Sequence, residues 1–214
     1  NFKKPTTPKI SYLIEAAKEI VQENESHDKD FLLTAAPETQ YVLGGYGNYG
    51  SAFGGYLPVL DGLRDELDLL HVQYYNTGSQ FAYTDDPKTP FGLLVEQSTP
   101  DFLVSMSEML IAGFPVARST NKSQYFEGFG ASKIAPGLPA TPAAAPAGGY
   151  MNPEMTIEAL DYLTTGDREG YEGQYHLRNP QGYADLGGIM TWSINWDKSE
   201  DGGTAPYEFA DAYS

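Results

Sequence analysis

The residues in this sequence best suited to chemistry are aromatic rather than nucleophilic. Tyr41, Tyr46, Tyr49, Phe53 and Tyr56 fall in one Gly-rich stretch, while Tyr74, Tyr75, Trp192 and Trp196 stand at or just past the ends of apolar runs. Flat rings gathered on one rim suit stacking against the apolar faces of sugars. Any single Tyr can equally fill a gap between packed elements; Tyr75 and Trp192 stand apart because both lie near strand ends. Other constellations are weaker. Gly45-x-Gly47-x-x-Gly50 matches a dinucleotide fingerprint, but that motif needs its third Gly inside the first turns of a helix. Here the stretch runs on through Ser51-Ala52-Phe53-Gly54-Gly55, too Gly-rich to open one. Asp61, Asp65 and Glu66 surround Arg64 and, with Asp68, read as a solvated helix face. His27, His71 and His176 lack zinc-site spacing, so no metal and no cofactor is expected. His71 opens an apolar run, where a hydrogen-bonded core histidine is the expected state.

The chain has 214 residues, 13 Lys+Arg against 29 Asp+Glu, and a net charge of −16. That balance disfavours a nucleic-acid partner, because phosphate binding needs clustered Lys and Arg. It disfavours an anionic membrane surface for the same reason. No apolar run approaches the ~20 residues of a membrane span. Without Cys, there is neither a disulfide framework nor thiol chemistry. Length alone fits one domain.

The elements that must position the aromatics alternate in type. Ile10, Leu13, Ile14, Ala17, Ile20 and Val21 recur at helical spacing behind a Thr7-Pro8 start. Phe31 to Ala36 is a short apolar run suited to a strand buried on both faces, and Leu57 to Leu69 reads as a helix. Leu70 to Tyr75 is a second strand, followed by a helix from Pro100 to Ile111 capped by Thr99 and closed by Gly113. Ser132 to Leu138 is a third strand, although Pro136 is awkward in a ladder. A Pro- and Ala-rich loop over 139–149 leads to a helix starting at Asn152-Pro153 and stopping at Gly166. Gly188 to Ile194 is a fourth strand, and the acidic tail has room for one more helical turn. Alternation of this kind predicts parallel strands with right-handed crossovers, hence an α/β fold. Such folds place functional residues at the C-terminal ends of the strands.

At those ends the words become specific. Leu33-Thr34-Ala35-Ala36-Pro37-Glu38, His71-Val72-Gln73-Tyr74-Tyr75-Asn76, Gly137-Leu138-Pro139-Ala140 with Gly149-Tyr150, and Gly188-Ile189-Met190-Thr191-Trp192-Ser193 occur in order. Together they resemble strands five to eight of a family 18 glycoside hydrolase, most closely the bacterial chitinases and more distantly the hevamine-type plant enzymes. The resemblance implies a (β/α)8 TIM barrel that cleaves β-1,4-linked N-acetylglucosamine polymers with retention. It also implies substrate assistance, in which the sugar's acetamido oxygen attacks C1 while one Glu protonates the leaving oxygen, outside the two-carboxylate scheme. By the same resemblance Tyr75 is the catalytic tyrosine that orients the acetamido carbonyl, and Gln73 and Asn76 hold the acetamido group. Trp192 is the floor of the −1 sugar site. Ala35, Ala36 and Met190 would keep that floor small and apolar, with Glu38 at its edge.

One departure stands out. The family's D-x-x-D-x-D-x-E signature, which carries the acid, does not occur; Asp61 to Asp68 only superficially resembles it. Residues 1–214 are therefore expected to be the C-terminal half of the barrel, with the acid upstream in a longer, secreted chitinase. The expected partners are chitin or its oligosaccharides and the N-terminal half of the same barrel. An acid-less, lectin-like chitin binder and an enzyme acting on N-glycan cores are the alternatives. The isolated 214-residue polypeptide should not turn over a chromogenic chitobioside; turnover at the rate of a complete enzyme contradicts this.

Overall fold

In the computed structural model, residues 2–4, 8–27 and 30–213 are described. The chain runs through α1 (Pro8–Glu25), β1 (Thr34–Ala35), the short helices α2 (Thr39–Val42) and α3 (Gly44–Gly47), α4 (Leu57–Gly62) and β2 (Leu69–Leu70). A hairpin of β3 (Gln80–Ala82) and β4 (Leu93–Val95) precedes α5 (Pro100–Ala112), and a second hairpin, β5 (Phe114–Pro115) with β6 (Tyr125–Phe126), follows it. Then come β7 (Gly137–Pro139), α6 (Pro153–Thr165), β8 (Met190–Trp192), α7 (Ile194–Asp197) and α8 (Glu208–Tyr213).

The four strands read from the sequence pair in chain order, all parallel. β1 pairs with β2 and β7 with β8, while bridges at Leu70–Ile134 and Gln73–Gly137 join the two pairs into one sheet. The arc is open: among the described residues no further parallel strand closes it. The strands are shorter than the apolar runs because the ladder is interrupted. Pro136 explains one gap, since it accepts from Met190 N at 2.9 Å but has no N–H to return. Its neighbours Ala135 and Gly137 donate to Leu70 O and Val72 O of the preceding strand.

Helices cover one face of this sheet. Leu70, Val72, Tyr74, Ile134 and Leu138 form one core with Phe102, Leu103, Met106 and Leu110 of α5 and Ala159, Tyr162 and Leu163 of α6. The expected end signals act at both helices. Thr99 Oγ1 accepts from Phe102 N, Asn152 Oδ1 accepts from Met155 N at 2.9 Å, and Gly113 and Gly166 end the helices at positive φ. In α6, Thr156, Ala159, Tyr162 and Leu163 face inward, while Ile157 is exposed. The Thr7 cap lies outside the described residues.

Two expected helices also differ. In α1, Ile14 packs against Gly62 of α4 and Val21 is buried, but Leu13 and Ile20 are about half exposed. The second helix, α4, ends at Gly62 rather than Leu69. Arg64 is drawn sideways to the Glu127 and Gly128 carbonyls, both at 2.9 Å, which takes the chain out of helical register. Leu57, Leu60, Leu63, Leu67 and Leu70 are nevertheless all buried. The acids here are engaged rather than merely solvated. Asp61 pairs with Arg64, Glu66 with Lys18, and Asp68 accepts from Leu33 N. Gly45 serves packing: a Cβ there would lie 3.0 Å from the Gly54 backbone.

Irregular segments are tied to this frame by buried carboxylates. Glu108 of α5 is fully buried and accepts from Tyr175 Oη at 2.7 Å, Tyr183 Oη at 2.8 Å, Arg178 N at 2.8 Å and Arg178 Nε at 3.3 Å. Asp101 on the same helix accepts from Gln174 N, Tyr175 N and Tyr171 Oη. Residues 171–183 are thereby held against α5. Glu108→Ala should cost about 3–5 kcal/mol, because Arg178 loses its buried ionic partner and the Tyr183 hydroxyl loses its acceptor. Urea unfolding of the protein checks this; a loss below 1 kcal/mol contradicts it.

Candidate active site

Side chains alternate between the faces of a strand, so pairing register decides which residues share the face not covered by helices. Glu38 pairs with Gln73, Gln73 with Gly137, and Gly137 with Met190, forming one transverse row across all four strands. Two residues further along each strand, Tyr75, Pro139 and Trp192 form the next row, with Pro139 directly opposite Trp192. Two interstrand steps of about 4.8 Å separate Tyr75 from Trp192 at the backbone, roughly 10 Å. That gap accommodates a sugar ring.

Of the residues expected in the site, Glu38, Gln73, Tyr75, Met190 and Trp192 share this open face. Ala35 does not. It pairs with fully buried Leu70 and packs against the core on the helix side, so Thr34 and Ala36 present their side chains to the open face instead. Asn76 sits just past the strand end in the left-handed region (φ 53°), and its Oδ1 accepts from Ala147 N at 2.9 Å. His71 lies one row below Gln73. Contrary to the expected satisfied core histidine, its buried Nδ1 has no hydrogen-bond partner among the described residues.

Local interactions orient the polar groups. Gln73 Nε2 donates to Ala36 O at 2.7 Å, and Thr39 Oγ1 donates to Gln73 O at 2.6 Å, which fixes this strand end against α2. Among the described residues, the Gln73 Oε1 acceptor and second amide hydrogen have no further partner. Tyr75 is only 5% exposed, and burial, reinforced by the nearby Glu38 charge, pushes its phenol up to about 12. It is therefore a neutral donor at any ordinary pH. Trp192 keeps 52% of its surface exposed, an open indole face at the edge of the row. Gly137 supplies room: a Cβ there would lie 2.8 Å from Met190 Cε, so the Met190 side chain rests where any larger residue would stand.

Sequence reasoning missed Gly137 as a spacer, and missed Gln97 and the Gly148–Gly149 pair beside Tyr75. The only sequence signal was the doublet Gly148-Gly149 after an Ala/Pro run. Among the described residues, no group of three or more His, Asp or Glu is placed to hold a metal ion. A neutral phenol, amides, a small apolar floor and an open indole suit an uncharged, hydroxyl- and amide-bearing ligand.

An open parallel arc with its polar groups at the C-terminal strand ends is the architecture of an α/β barrel segment. Comparison with known proteins makes the family explicit, although no family-level sequence profile matches the chain. It is 48% identical to chitinase Chi52 of Paenibacillus xylanexedens and 48% identical to chitinase D of Niallia circulans, in each case over 92% of this chain and 35% of the relative. It superposes on a family GH18 chitinase from Chromobacterium violaceum with a TM-score of 0.78 and 36% identity, covering 97% of this chain and 50% of that one. The chain belongs to glycoside hydrolase family 18, whose domains are TIM barrels. It spans about a third of the length of these curated relatives and half of that structure.

The raised Tyr75 pKa carries a stability consequence. An unfolded phenol ionises near 10, so this contribution is complete below about pH 10 and is lost as pH rises towards 12. Glu38→Gln removes the second cause of the shift and should lower the Tyr75 ionisation midpoint. Tyrosinate absorbance, taken as the difference from the matching Tyr75→Phe protein, reads it directly; an unchanged or higher midpoint contradicts the Glu38 contribution.

Proposed function

We propose that the protein carrying this chain hydrolyses β-1,4-linked N-acetylglucosamine polymers with retention, and that this chain supplies strands five to eight of its barrel. The observation that carries the reading is the two-row arrangement of Glu38, Gln73 and Met190 beneath Tyr75 and Trp192 on one open face. Four parallel strands matching half of a GH18 chitinase support the strand assignment. The acid, a Glu ending the D-x-x-D-x-D-x-E signature, would come from the other half of the barrel. Because chitin is an insoluble polymer outside the cell, such an enzyme would act extracellularly.

In this scheme the substrate supplies its own nucleophile. The acetamido oxygen attacks C1 as the glycosidic bond breaks, the acid delivers its proton to the leaving oxygen, and water later opens the cyclic intermediate. What this chain must do is hold one conformer of the acetamido group within attack distance. A neutral Tyr75 hydroxyl donates to the acetamido oxygen as charge redistributes, and its raised pKa keeps the proton in place. The Gln73 Oε1 and the Asn76 Nδ2, the ends of these amides not engaged by Ala36 and Ala147, flank it. The Trp192 indole supports the ring without a competing acceptor.

Tyr75→Phe in the complete protein should reduce kcat by about 10²–10³, the scale of one transition-state hydrogen bond, with chitin binding retained. Unchanged turnover of a chitobioside substrate removes Tyr75 from the mechanism. Chitin binding without any turnover in the unsubstituted complete protein would favour a lectin-like barrel instead.

A further inference from the structure

Directly behind Tyr75 lies a backbone clasp that the reaction scheme leaves unused. Gln97 Oε1 accepts from both Thr77 N and Gly78 N at 3.0 Å, just past the end of the Tyr75 strand. The Nε2 of the same side chain donates to Ala147 O, so one amide group spans the two loops. The loops also grip each other: Asn76 N donates to Gly148 O and Ala147 N donates to Asn76 Oδ1, each at 2.9 Å. Next to Gln97, Ser98 Oγ accepts from Gly149 N at 2.7 Å.

The glycines let this clasp close on Tyr75. A Cβ on Gly149 would lie 2.4 Å from Tyr75 Cβ and 2.5 Å from its Cα, and one on Gly148 would strike the Gln97 amide. Both glycines hold positive φ, 104° and 119°. Ser98 itself sits in the left-handed region at φ 64°, a conformation that persists only where surrounding contacts enforce it. The clasp is anchored, since Thr99 caps α5 and its Oγ1 also donates to Glu96 O at 2.6 Å. A continuous path therefore runs from the rigid core helix through Gln97 and Ser98 to the backbone of Tyr75.

We propose that Gln97, assisted by Ser98, is a positioning residue that sets the height and angle of the Tyr75 ring without touching substrate. The proposal rests on the reading of Tyr75 as the phenol that faces the acetamido group. Tyr75 stands at the last position before the chain turns left-handed at Asn76, and the last ladder bond before it is Tyr74 N to Gly137 O at 2.9 Å. Beyond that bond the clasp holds the chain, and a shift of about 1 Å in a positioned group costs up to ~10²-fold in rate.

The test is a double-mutant cycle in the complete protein, with kcat and KM on a chitobioside substrate and a thermal melt for each variant. Gln97→Ala should lower kcat by about ten- to a hundredfold while KM and the melting temperature change little. In a Tyr75→Phe background the same substitution should have almost no further effect on kcat, because the hydroxyl it positions is gone. Equal losses in both backgrounds overturn the proposal, as does full kcat in Gln97→Ala. Should Gln97→Ala fail to fold, Ser98→Ala replaces it, with a smaller loss expected and the same non-additivity required. Full activity in Tyr75→Phe alone is a separate outcome: it overturns the assignment of Tyr75 and, with it, any positioning through Tyr75.

Discussion

A parallel sheet is stable only when both faces are covered, and in this chain one face is covered and the other is not. Helices α5 and α6 seal Leu70, Val72, Tyr74, Ile134 and Leu138 into a core. The opposite face presents small, polar and aromatic groups: Ala36, Glu38, Gln73, Tyr75, Met190 and Trp192. That asymmetry governs what the chain can do. The face that lacks a cover is the one lined by the candidate chemistry, so the groups are held rigidly from behind and left free in front.

Rigidity from behind depends on polar contacts as much as on apolar packing. Glu108 and Asp101 point from one helix into an irregular segment and satisfy its amides and phenols. Asp197 does the same at the other end of the chain, accepting from Phe209 N at 2.9 Å and Ala210 N at 3.2 Å. A buried carboxylate is destabilising unless several donors converge on it. Once they do converge, the loop has few alternative positions. Long connections can then join short strands without loosening the strand ends where the site lies.

The legible parts of the sequence are those set by local chemistry. Thr99-Pro100, Asn152-Pro153, Gly113 and Gly166 marked α5 and α6 because caps and terminators act within a turn. The strand-end words drew attention to Gln73, Tyr75 and Trp192 because each is attached to a recognisable apolar run, and pairing register puts all three on the open face. The two hairpins escaped notice because Gln80–Ala82 and Phe114–Pro115 are too short to show alternation, and their partners lie about ten residues or more away. The early end of α4 escaped for a similar reason. The carbonyls that capture Arg64 come from residues 127 and 128, far beyond any local window.

By itself, then, the sequence determined the alternation of elements, the helix boundaries that carry caps, and the residue types available at the strand ends. Tertiary structure alone decided which of two adjacent residues faces the site. Ala35 and Ala36 are indistinguishable as letters, and only the pairing of Ala35 with buried Leu70 turns one to the core and the other to the open face. It also decided what stands behind Tyr75, since Gln97 and Gly149 reach it only after the chain has folded back over tens of residues. The physical reason is common to both. A strand has two faces and a loop has many conformations, and neither choice is made until a partner from elsewhere in the chain supplies the hydrogen bonds.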